Sequence, residues 1–232
     1  MKLLIQIPCY NEEETLGKTI KDLPNSIYGI DEIETLVIDD GSTDNTLSIA
    51  KNLAVDHILV LPNNRGLAKA FYAGIEKCLK VGADIIVNTD ADNQYQGSDI
   101  KKLVDPILNK KADIVVGDRQ TDKIQHFSII KKIFQKFGSY FVRKLSKTDV
   151  IDTVSGFRAF TRESALQINI FTDYSYTIET IMQFGSRKAN IISIPIKTNK
   201  TERKSRLFKN IPSFISNQLF TIIRAFSNYQ AL

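Results

Sequence analysis

The sequence has no tryptophan, and among its 232 residues it has only two cysteines, Cys9 and Cys78, and two histidines, His57 and His126. The cysteines form no Cys-x-x-Cys pair, which speaks against a zinc knuckle or a disulfide framework and fits a reducing compartment. No apolar run reaches the roughly 18 residues of a membrane span, and the apolar part of MKLLIQIPCYNEEE is too short for a secretory leader. No repeat, low-complexity tract or Pro/Gly/Ser linker divides the chain. One continuous domain with a C-terminal helical segment is therefore expected. With 43% hydrophobic residues and a mean hydropathy of -0.14, the chain can bury a core without disulfides or metal.

The net charge of +5 hides an asymmetry. Residues 1–121 hold 13 Lys and Arg against 19 Asp and Glu, whereas residues 122–232 hold 18 against 7. An acidic first half suits metal binding. A basic second half suits a phosphate-bearing partner or an anionic membrane surface. The acidic half counts against a nucleic-acid module.

Short apolar runs alternate with helical stripes through the first 120 residues. Strands are expected at Leu3–Ile7, Thr35–Ile38, His57–Leu61, Ala83–Val87 and Ala112–Val116. Between them lie helices, the first capped by Asn11 with Glu14 three residues on, the others opening near Thr43 or Asp44, at Gly66 and at Ser98. Such alternation predicts an α/β fold with a mostly parallel sheet and ligands at the strand carboxyl ends. Those ends are Pro8–Glu12, Asp39–Asp44, Asp90–Gln94 and Gly117–Gln120, and the first three are rich in carboxylates. Beyond residue 121, Ile129, Ile133, Phe137, Phe141 and Leu145 form an i+4 stripe. Phe157–Phe160 and Ile191–Ile196 suggest further strands, and Tyr176–Phe184 and Ile211–Phe226 suggest helices.

Asp90-Ala91-Asp92 is the sharpest local signal. Two carboxylates two residues apart at a strand end can grip one hard divalent cation, with waters and substrate phosphates completing its shell. Gln94 adds a neutral oxygen. An Asx-rich turn is the bland alternative. Pro8, Tyr10 and Glu12 stand at the first strand end, and Asp39-Asp40-Gly41-Ser42 at the second, where a carboxylate can accept hydrogen bonds from a base or ribose.

These three motifs, in this order, resemble those of the family 2 inverting glycosyltransferases, which use nucleotide-diphospho sugars on a GT-A fold. Within that family the chain is most similar to the polyprenyl-phosphate type, that of the dolichol-phosphate mannosyltransferases. The resemblance implies a mostly parallel Rossmann-like sheet with a nucleotide-sugar-binding half at 1–121 and an acceptor-binding half at 122–208. Residues 209–232 would form an amphipathic juxtamembrane helix. It implies that Pro8, Tyr10, Glu12, Val37 and Asp39 hold the nucleoside and that Asp90, Ala91 and Asp92 line the donor site. Asp90, Asp92 and Gln94 would coordinate Mg2+ or Mn2+. Arg119, in Val-Val-Gly-Asp-Arg, matches an arginine near the phosphates and acceptor, and Arg158 ends a Ser-Gly-Phe-Arg stretch. Both are candidates for the acceptor phosphate. Arg203 and Arg206, in Arg-Lys-Ser-Arg-Leu, match a basic loop closing over the diphosphate. Asp92, Arg119, Arg158 and Arg203 are the residues expected to carry catalysis. Tyr95-Gln96-Gly97 and Arg206 depart from the common pattern.

The missing tryptophan excludes the Gln-x-x-Arg-Trp motif of processive polysaccharide synthases. No Glu-Asp pair supplies the base that a hydroxyl acceptor needs; the nearest carboxylates are Asp152 and Glu179. A polyprenyl phosphate acceptor needs none, being an anionic nucleophile already. The expected activity is transfer from a UDP- or GDP-sugar to polyprenyl phosphate by a protein peripheral to the cytoplasmic membrane face. A lipid or saccharide hydroxyl acceptor, or a sugar-nucleotide binder without turnover, are the alternatives. A homo-oligomer is compatible with this reading. His57, His126 and Cys9 are expected in ordinary surface or core roles.

Overall fold

In the computed structural model, residues 1–121, 129–172, 175–200 and 211–230 are described. The first half runs β1 (Lys2–Cys9), α1 (Leu16–Lys21), β2 (Glu32–Asp39), α2 (Thr46–Asn52), β3 (His57–Val60), α3 (Leu67–Lys80), β4 (Ile85–Asn88), α4 (Ile100–Leu108) and β5 (Ile114–Asp118). There follow α5 (Ile129–Ser146), β6 (Arg158–Thr161), α6 (Arg162–Ala165), α7 (Tyr176–Ser186), β7 (Ile191–Pro195) and α8 (Ile211–Gln230). Each predicted strand is present within a few residues, as are α7 and α8.

The strands form one sheet in the order β3-β2-β1-β4-β6-β5-β7. All neighbours are parallel except β6, which runs antiparallel to both β4 and β5. This reversed strand matters for the site. Because Asn88 of β4 pairs with Arg158 at the start of β6, the turn preceding β6 arrives at the carboxyl end of β4. Likewise β7 pairs Pro195 with Asp118 of β5, so the chain leaving β7 emerges on the same rim.

Alternation along the strands divides the core between the two faces of the sheet. Leu4, Leu36, Ile38 and Ile86 face Phe71 and Ile75 of α3 and Tyr176 and Met182 of α7. Leu3, Ile5, Ile85 and Val87 face Leu103 and Val104 of α4. Each such fully buried side chain contributes roughly 1.5–3 kcal/mol relative to exposure.

Two expectations fail for identifiable reasons. The first helix begins at Leu16 rather than after Asn11. Asn11 is left-handed (φ 53°), and its side chain accepts from the Thr43 N–H instead of capping its own helix. In α5, Phe141 is 41% exposed while its neighbour Val142 is fully buried and Leu145 packs on the core, so the expected stripe meets the core at Leu145 but not at Phe141. The side chains of Ile129, Ile133 and Phe137 lie outside the described set.

The C-terminal helix α8 is half in and half out. Thr221 and Ala225 are buried, and Ile222 and Tyr229 pack on the core. Leu219, Phe220, Ile223 and Phe226 are 55%, 64%, 60% and 42% exposed. Among the described residues no helix is long and apolar enough to cross a membrane.

Candidate active site

The loops at the carboxyl ends of β1 and β2 are laced together by side chains bonding across to backbone. Asn11 N–H donates to Ser42 Oγ, and Thr43 N–H donates to Asn11 Oδ1. Glu12 N–H donates to Thr46 Oγ1, while Glu13 accepts from both the backbone and side chain of Asn45. Asp39 is 2% exposed and accepts from the Ser42 N–H. Asp40 accepts from the N–H groups of Arg65 and Gly66, which draws in the loop after β3. Burial pushes the Asp40 carboxyl up, and these two N–H groups only partly offset it. The turn requires Gly41. Its φ is 71°, and an added Cβ would lie 2.6 Å from the Asn63 carbonyl carbon.

Pro8, Tyr10, Glu12 and Asp39 therefore do gather at one rim. Val37 does not share it. Its side chain is fully buried with Ile7, Cys9, Leu16, Ala50 and Ala91, in a small cluster beneath these loops. Val37 and Asp39, two apart on β2, share one face of the strand, with Val37 a layer deeper beneath the rim. Ala91 is 3% exposed in the same cluster and likewise packs inward. Cys9 is a buried filler, as expected.

The loop after β4 carries Asp90, Asp92 and Gln94. Asp92 Oδ1 accepts from the Gln94 N–H, an Asx turn through Asn93 at φ 54°. The floor below Asp90 is polar and closed. Gln6 donates to Asn88 Oδ1, and Asn88 Nδ2 donates to the Gly156 carbonyl and the Tyr176 hydroxyl at 2.9 Å each. The Gly156 N–H donates to the Tyr95 hydroxyl. An added Cβ on Gly156 would stand 2.8 Å from Asp90 Oδ1 and 2.9 Å from the Tyr176 oxygen, so only glycine lets this turn close on the carboxylate. The tyrosines are fixed by stacking, Tyr95 on Phe157 and Tyr176 on Phe71. Burial, reinforced by Asp90, pushes both hydroxyls well above their ordinary pKa.

On the far side of this loop, Arg119 follows β5. Its Nε and Nη2 donate to the two oxygens of Asp152 at 2.7 and 2.9 Å, with the side chains 11% and 2% exposed. Burial works to lower its pKa, but the facing Asp152 carboxylate raises it further, so the guanidinium is permanently charged. Arg119, Asp152, Asp90 and Asp92 all act electrostatically on the buried Tyr95 hydroxyl.

Arg158 is a different case. It is fully buried, and its guanidinium donates to the carbonyls of Thr153, Ser155 and Thr177 and to Thr180 Oγ1. Burial lowers its pKa to about 10. The expected contact with an acceptor phosphate is corrected: Arg158 ties the turn before β6 to α7 from within the protein. Glu179 is equally buried and accepts from the N–H groups of Phe171 and Thr172 and from the hydroxyls of Thr172 and Tyr229. His57 Nε2 lies 2.8 Å from Glu34 Oε2 at the amino-terminal end of β3, away from the rim. Arg203, Arg206 and His126 lie outside the described residues.

Among the described residues no group of three or more His, Cys, Asp or Glu side chains is assembled to hold a metal. The loop after β4 still fits a hard cation. It offers two carboxylates and an amide, all oxygen donors, a number typical where substrate phosphates and waters complete the shell. Asn93 Oδ1, in the same loop, is the one buried side-chain oxygen or nitrogen without a hydrogen-bond partner among the described residues. The structure also brings in Asn88, Tyr95, Gly156, Tyr176 and Asn199. Of these, Gly156 was legible through its motif, whereas Asn199 carried no signal.

The profile described as Glycosyl transferase family 2 matches residues 4–168. The UDP-N-acetylglucosamine–dolichyl-phosphate N-acetylglucosaminyltransferase of Methanococcus voltae is 32% identical over 222 residues, covering 84% of this chain and 85% of its own. The undecaprenyl-phosphate mannosyltransferase of Micrococcus luteus is 28% identical over 206 residues, covering 84% and 83%. Among solved structures, glucosyl-3-phosphoglycerate synthase of Mycobacterium tuberculosis, in complex with Mn2+, UDP and phosphoglyceric acid, superposes with a TM-score of 0.74. It is 17% identical, with 97% of this chain and 78% of that chain covered.

Proposed function

The chain belongs to glycosyl transferase family 2 and is a glycosyltransferase, and we propose that it moves a sugar with inversion from a UDP- or GDP-linked donor to polyprenyl phosphate. The relatives named for dolichyl- and undecaprenyl-phosphate transfer support the acceptor class. The observation that carries it is the state of the two carboxylates nearest to serving as a base. Asp152 is bound bidentately to Arg119, and Glu179 is buried under four donors. Neither is placed to take a proton from a hydroxyl, whereas a phosphate acceptor arrives ionised.

In this reading Pro8, Tyr10, Glu12 and Asp39 hold the nucleoside. Asp90, Asp92 and Gln94 hold Mg2+ or Mn2+ on the diphosphate; such an ion, when bound, neutralises the charge on the leaving nucleotide. Arg119, oriented by Asp152, faces the phosphates of donor and acceptor with a planar set of donors. Arg203 and Arg206 follow closely on Asn199, whose backbone N–H donates to the Gln94 carbonyl, so the chain enters its basic run beside the carboxylate loop. The acceptor phosphate attacks C1 opposite the departing nucleotide. The protein works at the cytoplasmic membrane face, held by the basic run at 197–209 and the apolar face of α8, as residues 209–232 suggest.

A donor screen in the presence of polyprenyl phosphate, following nucleotide diphosphate release, tests this. The rate should require a divalent cation and be nearly flat from about pH 6.5 to 8.5, above the second pKa of a phosphate monoester. Turnover undiminished in EDTA, or a steep single-pKa rise with turnover on a neutral glycolipid, would overturn it.

A further inference from the structure

Asn199 has no role in the reading above, yet it is the residue that grips the carboxylate loop from outside. Its backbone N–H donates to the Gln94 carbonyl at 2.8 Å. Its Nδ2 donates to the Asn93 carbonyl at 3.0 Å, and its Oδ1 accepts from Gln96 Nε2 at 3.2 Å. Two further contacts fasten the same stretch. Thr198 forms a β-bridge with Tyr95, and the Lys197 N–H donates to Asp99 at 2.7 Å. A segment about a hundred residues away in sequence thus holds four consecutive residues of the loop, Asn93 to Gln96.

The loop needs holding. Asn93 sits at φ 54°, and non-glycine residues occupy the left-handed region only when surroundings compensate. The Asx turn made by Asp92 constrains one side of Asn93. On the other side the Asn93 carbonyl accepts from the Asn199 amide, next to the backbone bond at Gln94 and the bridge at Tyr95. The side chain must donate and accept at once through one plane, which an amide does and a carboxylate or an alkyl group does not.

We propose that Asn199 is a positioning residue that sets the spacing of Asp90 and Asp92 for a divalent cation on the donor diphosphate. The proposal rests on the reading of Asp90 and Asp92 as cation ligands. In this role Asn199 acts through the backbone of Asn93 and Gln94, which it holds directly.

The test is a titration of UDP and GDP onto the full chain, with and without Mn2+, for wild type, Asn199→Ala and Gln96→Ala, each with a melting curve. Wild type should bind the better nucleotide more tightly with Mn2+. Asn199→Ala should lose about three- to tenfold of that metal-dependent gain, since two side-chain bonds go. Its metal-free affinity should stay unchanged, a split that loss of folding alone does not give. Gln96→Ala, which removes one of the two bonds, should lose less and keeps the question answerable if Asn199→Ala does not fold. An equal metal-dependent gain in wild type and both variants would overturn the role of Asn199 while leaving the cation site standing. No metal-dependent gain in wild type would overturn both.

Discussion

Charge is buried in two ways in this molecule, one at the loops after β1 to β4 and another across α5 to α8. In the first region carboxylates are met by backbone N–H groups a short distance away in sequence or one loop over: Asp39 by Ser42, Asp40 by Arg65 and Gly66, Asp44 by Thr46, Asp92 by Gln94. These arrangements hold carboxylates at the rim, where a ligand can reach them. In the second region the charges are sealed inside, each tied to several partners drawn from more than one element. Arg158 reaches Thr177 and Thr180, and Glu179 reaches Tyr229. The second region instead leaves apolar surface outside, at Phe220, Ile223 and Phe226. The two regions differ in where the charge ends up: on loops at the strand carboxyl ends in the first, between α5 and α8 and the sheet in the second. Arg119 stands between the two, since it is held by a distant carboxylate yet remains 11% exposed beside Asp90 and Asp92.

The contrast breaks most sharply at Arg158. Arg158→Met removes the guanidinium donors to three carbonyls and a hydroxyl, and should cost about 3 kcal/mol or more in denaturant unfolding. The KM for the acceptor, measured on the folded fraction, should not change. A large rise in that KM with stability intact would return Arg158 to the acceptor site.

At the rim the opposite pattern is expected. Asp92→Asn should keep its melting temperature within a few degrees and lose about 10²-fold or more in turnover, because a charge facing metal and diphosphate is removed. Full activity of the purified variant would mean that the loop after β4 is only a turn.

A smaller effect sharpens the picture of the outer surface. Phe220→Ser with Ile223→Ser removes apolar area from the exposed face of α8 without touching Ala225 or Tyr229, which pack inward. Sedimentation with vesicles containing phosphatidylglycerol should fall about tenfold, or about 1.4 kcal/mol for the pair, because each side chain is already partly covered and enters the interface only in part. Donor binding should be unchanged. Wild-type vesicle binding equal to that of the double variant would leave the exposed face without a lipid role. Deleting α8 outright is a poorer probe, because Thr221, Ala225 and Tyr229 make it part of the fold.

Much of this was legible in the order of residues. Five buried strands with crossover helices imposed a sheet whose carboxyl ends lie on one edge, and carboxylates spaced at those ends had to share it, because both are consequences of local periodicity. What periodicity could not decide was which residues arrive from elsewhere. The reversal of β6 inside an otherwise parallel sheet puts Gly156 against Asp90, and the exit of β7 puts Asn199 against Asn93. The same long-range pairing buries Arg158 although it stands in a motif beside Gly156. Sequence determined which groups could be charged or apolar at each position. Only the packing of distant strands decided which of them face the cleft, because burial is a property of neighbours and not of the residue itself.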